Sequence, residues 1–276
     1  MMKEEPRPIL QVNSIYKDYV TRSFSHGKAD VFHALNNVSF ELFEKQTYAL
    51  VGESGSGKST TGKIICALEK PTSGSVVFEN ENYVDASPRR LRERIRGNIQ
   101  MVFQDPFSAL NPRKTVGDAI VEALEIQHIG ADHAERKAIA AQTLEKVGLS
   151  TWHMDRYPHQ FSGGQLQRVN IARALAVKPK ILILDESVSA LDVSVQAQVL
   201  NLLQDLKEEF SLSYLFITHD LSVVRFIADR VGVLCRGDMV EEGSVEQIFS
   251  NPQTEYTRNL LNSIPVPNPA RRQLAV

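Results

Sequence analysis

The chain has 276 residues, 42% of them hydrophobic, which is enough for one large domain or two small ones with real cores. A formal net charge of -2 gives no electrostatic case for nucleic acid or an anionic membrane surface. The two cysteines, Cys66 and Cys235, lie far apart with no metal-ligand spacing and read as buried thiols of a cytosolic protein, not a disulfide framework, and no apolar run nears the ~18 residues of a membrane span. The charged start, Met1 to Arg7, has no apolar stretch of secretory type, so a cytosolic setting is expected.

In chain order, Ile9 to Val20 and Ala34 to Phe43 alternate apolar and polar residues in places, as antiparallel strands do. The polar, Gly-containing Thr21 to Asp30 between them predicts a loop. Thr47 to Val51 reads as a short buried strand, and Thr60 to Leu68 as a helix closed by Pro71 and Gly74. Ser75 to Phe78 is another strand. Arg89 to Arg96 is a basic, helix-like stretch, read as a solvated face. Ile99 to Phe103 is a strand ending at Gln104-Asp105-Pro106, and Val116 to Gly148 carries helical spacing, as a helical insertion would. A helix runs from near Gly164 to Ala176. Then come a strand at Ile181 to Leu184, a long helix at Val193 to Phe210, a strand at Ser213 to Thr218, a helix at Leu221 to Ala228 and a strand at Val231 to Cys235. This alternation predicts an α/β fold with a parallel sheet.

Gly52-Glu53-Ser54-Gly55-Ser56-Gly57-Lys58-Ser59 fits G-x-x-x-x-G-K-[ST], the phosphate-binding loop of nucleotide triphosphatases, in the required strand–loop–helix setting. Glycines let successive N–H groups point at phosphate oxygens, and the helix N-terminus adds unpaired N–H groups and partial positive charge. Lys58 can reach the β- and γ-phosphates, and Ser59 can offer its hydroxyl to Mg²⁺. Ile181-Leu182-Ile183-Leu184-Asp185-Glu186 ends an aliphatic strand in two carboxylates: Asp185 suits Mg²⁺, and Glu186 suits a general base for the attacking water. Without the upstream loop, the same stretch would read equally well as a core strand capped by solvated acids.

Phe161-Ser162-Gly163-Gly164-Gln165 precedes a helix and can bind an anion by the same backbone logic. It also fits an ordinary Ser-capped helix; a second phosphate-binding element makes sense where the nucleotide is held by another copy. His219, after the strand Tyr214 to Thr218, points toward the ligand edge of a parallel sheet and can contact a γ-phosphate, although a lone His is more often structural. Gln104 likewise ends a strand, where its amide can sense Mg²⁺ or the attacking water, although a loop Gln is usually just solvated.

Together and in this order, these elements resemble an ABC-type ATPase domain over nearly the whole chain. The set is the Walker A loop Gly52–Ser59, Q-loop Gln104, signature Ser162-Gly163-Gly164-Gln165, Walker B ending Asp185-Glu186, D-loop Ser189-Ala190-Leu191-Asp192 and switch His219. Tyr19 matches the aromatic residue that stacks on adenine in this family. Val102 to Pro112 and the tail from Gly237 through Tyr256-Thr257-Arg258 resemble importer ATPases for oligopeptides, dipeptides and nickel. Phe161 stands where Leu is usual before the signature, and Ser187 where Pro is usual after the catalytic Glu. A Cys-rich C-terminal iron–sulfur motif found in some paired subunits is absent.

The resemblance implies a phosphate-loop NTPase (RecA-like) core with an antiparallel β subdomain and an inserted α-helical subdomain. Residues 1–104 and 161–240 are expected to form the core with the β subdomain, 105–160 the helical subdomain, and 241–276 a C-terminal extension. ATP and Mg²⁺ are the implied ligands. Glu186, His219, Gln104 and Lys58 would serve catalysis; Ser59, Gln104 and Asp185 would serve the metal. Tyr19, Gly52, Ser54, Gly55, Gly57, Lys58, Ser59, Thr60, Ser162, Gly163, Gly164 and Gln165 would bind nucleotide, the last four from across a head-to-tail dimer. The implied partners are membrane permease subunits, a second ATPase subunit and, indirectly, an extracellular or periplasmic solute-binding protein, with no nucleic acid. The implied location is peripheral, on the cytoplasmic face of the cell membrane. The expected function is to power uptake of peptides, or of nickel or a similar small solute. The alternative is a soluble ABC ATPase of an enzyme-assembly complex, such as one for phosphonate degradation.

Overall fold

The computed structural model describes residues 7–22, 29–84 and 94–263. Two sheets organise it. The first is antiparallel, in the order β2-β1-β4-β5: β1 (Pro8–Arg22), β2 (Ala29–Phe43), β4 (Ser73–Phe78) and the short β5 (Glu81–Asn82). The second runs β10-β9-β3-β8-β7-β6. In it β3 (Thr47–Val51), β6 (Ile99–Val102), β7 (Ile181–Asp185), β8 (Ser213–Thr218) and β9 (Arg230–Cys235) are parallel, and β10 (Asp238–Ser244) turns back antiparallel on β9.

The strands of the parallel sheet are apolar on both faces, and the period of two sorts their side chains into separate cores. Ile181, Ile183, Leu215 and Ile217 face α1 (Lys58–Ile65) and the antiparallel sheet. Leu182, Leu184, Tyr214 and Phe216 face the opposite way. They pack with α2 (Val116–Ile126), α3 (His133–Lys146), α4 (Gly163–Ala176) and α5 (Val193–Phe210). On β3, Tyr48 and Leu50 join the first core. Ala49 and Val51 join a third, with α6 (Leu221–Ile227), α7 (Val245–Ser250) and α8 (Glu255–Asn262).

The expected fold class holds, with local corrections. The strand pair continues into the expected loop, Thr21 pairing with Asp30 and Arg22 with Ala29, because backbone N–H and C=O groups complete a two-stranded ladder whatever the side chains. Helix α1 starts and stops earlier than expected, at Lys58 and Ile65; Ala67 beyond it turns left-handed, φ 53°. The stretch Val116 to Gly148 is two helices, parted by a turn with Gly130 at φ 80°. β6 stops at Val102, one residue early. The 240/241 boundary falls inside β10, which the β9 ladder binds into the sheet. Helix α4, assigned to the core at the 160/161 boundary, shares one apolar cluster with α2 and α3. Of the basic stretch Arg89 to Arg96, only residues 94–96 lie among the described residues, in a helical segment that runs to 98; the tail beyond 263 lies outside them.

Candidate functional site

Parallel pairing brings the C-terminal ends of four strands to one edge, where ligands of such sheets bind. Val51 lies beside Thr218, Asp185 beside Ile217, and Val102 beside Leu184. The phosphate loop, Gln104, Glu186 and His219 therefore emerge side by side.

Gly57 precedes α1 at φ 106°, and a Cβ there would lie 2.6 Å from the Ala34 carbonyl oxygen, so only glycine fits. It offers no side-chain cap, which leaves the N–H groups of the first turn for an anion. The Lys58 side chain, 4% exposed, curls back over the loop. Its Nζ donates to the carbonyls of Gly52 (2.8 Å) and Glu53 (2.7 Å). Burial lowers its pKa, opposed by the nearby Glu186, Asp185 and Glu53 carboxylates. Ser59 Oγ donates to Asp185 Oδ1 at 2.8 Å, and burial raises the Asp185 pKa against that bond.

Glu186 joins the strand ends. Gln104 Nε2 donates to its Oε2 at 2.9 Å, and His219 Nδ1 lies 3.2 Å from its Oε1. Its backbone is left-handed, φ 46°, a conformation costly for a residue with a Cβ. The main chain pins that turn: Glu186 N–H donates to the Ile217 carbonyl at 2.9 Å, and Ser189 Oγ donates to the Glu186 carbonyl at 2.8 Å. Ser187 is buried, and its hydroxyl meets no partner among the described residues. The bonds that aim Glu186 thus do not involve the residue after it.

Tyr19, Phe32, Ala34, Ser54, Gly55, Gly57, Lys58, Ser59, Thr60, Gln104 and Glu186 line a cavity of about 280 Å³. Most of the expected residues of one nucleotide site are among them. Phe32 and Ala34 are additions. Phe32 is the cross-strand partner of Tyr19, their ring centroids 6.5 Å apart and their planes 24° from parallel. Lys17 Nζ lies 4.9 Å from the Tyr19 ring centroid, and the Tyr19 hydroxyl donates to Glu69 at 2.6 Å. The sequence signal for Phe32 was its position beside the strand start; its pairing with Tyr19 depends on a register that composition does not encode.

Ser162 to Gln165 do not line this cavity. They form a capping box at the start of α4: Ser162 Oγ accepts from the Gln165 N–H, and Gln165 Oε1 from the Ser162 N–H. Gly164 has a packing role beside its backbone one, since a Cβ there would lie 2.2 Å from Val195 Cγ1 on α5. Asp192, at the N-cap of α5, is exposed and makes no side-chain cap. Phe161 is buried and packs against His153, ring centroids 5.4 Å apart. Farther along α4, Asn170 Nδ2 and Arg173 Nη1 donate to the carbonyls of Pro106 and Ala109, which ties this helix to the segment after Gln104.

Comparison with known proteins agrees with this geometry. The ABC transporter family model matches residues 35–189, and the oligopeptide/dipeptide transporter C-terminal region matches 240–276. The chain is 48% identical over 236 residues to the oligopeptide transport ATP-binding protein OppF of Bacillus subtilis (strain 168), covering 86% of this chain and 77% of that protein. It is 45% identical over 267 residues to the dipeptide transport ATP-binding protein DppF of Lactococcus lactis, covering 96% and 84%. A dimeric ATP-binding cassette solved in a post-hydrolysis state with ADP and Pi superposes with a TM-score of 0.76 at 33% identity, covering 86% of this chain and 98% of that one. The chain therefore belongs to the ATPases of the ABC transporter family, in the branch that carries the oligopeptide/dipeptide transporter C-terminal region.

Proposed function

We propose that this chain hydrolyses MgATP in the Lys58 cavity to drive uptake of oligopeptides or dipeptides through a membrane permease. The observation that carries the reading is the Glu186 carboxylate, bridged by Gln104 and His219 at the mouth of the phosphate loop. The peptide assignment rests on what OppF and DppF are named for and on the match of residues 240–276.

The residues divide the work. Tyr19 and Phe32 take the adenine, the loop N–H groups and Lys58 take the phosphates, and Glu186 accepts the proton of the attacking water. His219 and Gln104 hold Glu186 in place through their bonds to its two oxygens. Ser59 Oγ and Asp185 Oδ1 are hard oxygen donors already 2.8 Å apart, which fits Mg²⁺; Gln104 adds a third oxygen-bearing group at the same edge. Bound there, the ion would offset charge on the β- and γ-phosphates.

The Ser162–Gln165 turn, exposed at Ser162 and Gln165, serves a nucleotide held by a second ATPase subunit, and Asp192 communicates across that contact. The 105–160 region receives the permease on the cytoplasmic face of the membrane, residues 241–276 extend the core, and an external solute-binding protein delivers the peptide. The test is co-purification of the tagged chain from native membranes, with ATPase activity assayed on the recovered complex. A permease pair with a second ATPase, and peptide-dependent, vanadate-sensitive turnover, is the expected result. Recovery solely with soluble enzymes would overturn the transport role and leave the ATP chemistry standing.

A further inference from the structure

The segment after β10 is fastened to the sheet by one buried carboxylate. Glu241 accepts from the N–H groups of Gln253 (2.7 Å) and Thr254 (3.0 Å) and from Thr254 Oγ1 (2.9 Å). Thr254 in turn caps α8 by accepting from the Thr257 N–H at 3.1 Å. This sets Tyr256 against the apolar cluster that contains Val51, the last residue of β3 before the phosphate loop. The Tyr256 hydroxyl accepts a hydrogen bond from the Glu53 N–H at 3.2 Å.

That N–H belongs to the peptide unit joining Gly52 to Glu53, and the carbonyl of the same unit accepts from Lys58 Nζ at 2.8 Å. A trans peptide is planar and rigid, with N–H and C=O on opposite sides. Rotation that freed the N–H from Tyr256 would swing the carbonyl away from Lys58. We infer that Tyr256 is a positioning residue for Lys58: it fixes the plane of the Gly52–Glu53 peptide and so makes the C-terminal region a working part of the phosphate loop. The inference rests on the reading of Lys58 as a phosphate ligand.

The test is Tyr256→Phe in the full-length protein, which keeps the ring and removes the hydroxyl. Loss of one hydrogen bond that pre-orders the loop should weaken MgATP binding, measured by calorimetry, about three- to tenfold. KM should rise in step, while kcat at saturating ATP stays near the wild-type value. Hydrogen exchange at the Glu53 amide should quicken. Unchanged MgATP affinity, with or without faster exchange at Glu53, would overturn the inference, as would weaker affinity with unchanged exchange. Lys58→Ala run in parallel separates the two claims. Lost affinity in Lys58→Ala beside unchanged affinity in Tyr256→Phe removes only the positioning role. Full affinity in Lys58→Ala removes the reading of the site with it.

Discussion

Glu186 holds a left-handed backbone although it is neither Gly nor Asn, and two side chains from two other strand ends hold its carboxylate. Strain of this kind, worth about 1–3 kcal/mol, persists where the surroundings over-determine it. With Glu186→Gln the amide keeps the shape and loses the basicity, so kcat should fall by about 10²–10⁴ while ATP still binds. Phosphate release beside nucleotide binding checks this; turnover near wild type would remove Glu186 from the base role. Phe32 makes a different kind of contribution. It is 58% exposed in the free protein and faces Tyr19 at 6.5 Å, so its truncation costs little fold stability. Phe32→Ala should raise the KM for ATP about two- to tenfold through lost ring contact, with kcat unchanged. An unaltered KM would leave Tyr19 as the sole aromatic wall.

At the scale of elements, the close contact between α4 and α5 turns on one missing methyl group. A Cβ at Gly164 would meet Val195 Cγ1 at 2.2 Å, and a β-branched side chain on a helix has almost no alternative rotamer. Gly164→Ala should therefore cost about 1–3 kcal/mol by urea unfolding, and adding Val195→Ala should restore most of it. Equal stability of Gly164→Ala and the wild type would show that the helices part without strain. The sequence carried most of this architecture. The phosphate loop, the Asp185-Glu186 strand end and the limits of α5 and β8 were readable, because motif spacing and aliphatic runs are local properties. The far ends of β1 and β2 were not, since Thr21, Arg22, Ala29 and Asp30 are strand by virtue of pairing with one another. Phe32 was missed for the same reason: cross-strand register places it. The glycines of Ser162–Gln165 were read for their N–H groups, and the claim of Val195 on one of them needed the position of α5.

Among the described residues, three apolar clusters meet at the parallel sheet, and the strand ends above them carry the residues proposed for catalysis. The 240/241 division does not correspond to a structural seam, because β10 completes the sheet and Glu241 within it anchors α8. The helical region has a matching continuity with the site: Asn170 and Arg173 reach from α4 to the stretch just after Gln104, so that stretch is bonded to the helix that starts after Ser162. Ser162–Gln165 lie apart from the Lys58 cavity. On the proposed reading these are two unlike halves of a reaction centre, each idle until it meets its complement on another molecule, which would make hydrolysis a matter of reaction order. For the purified chain alone, specific activity should climb with protein concentration under dilute conditions and level off once encounters saturate. A rate per molecule that stays constant on dilution would mean that one chain is sufficient for turnover.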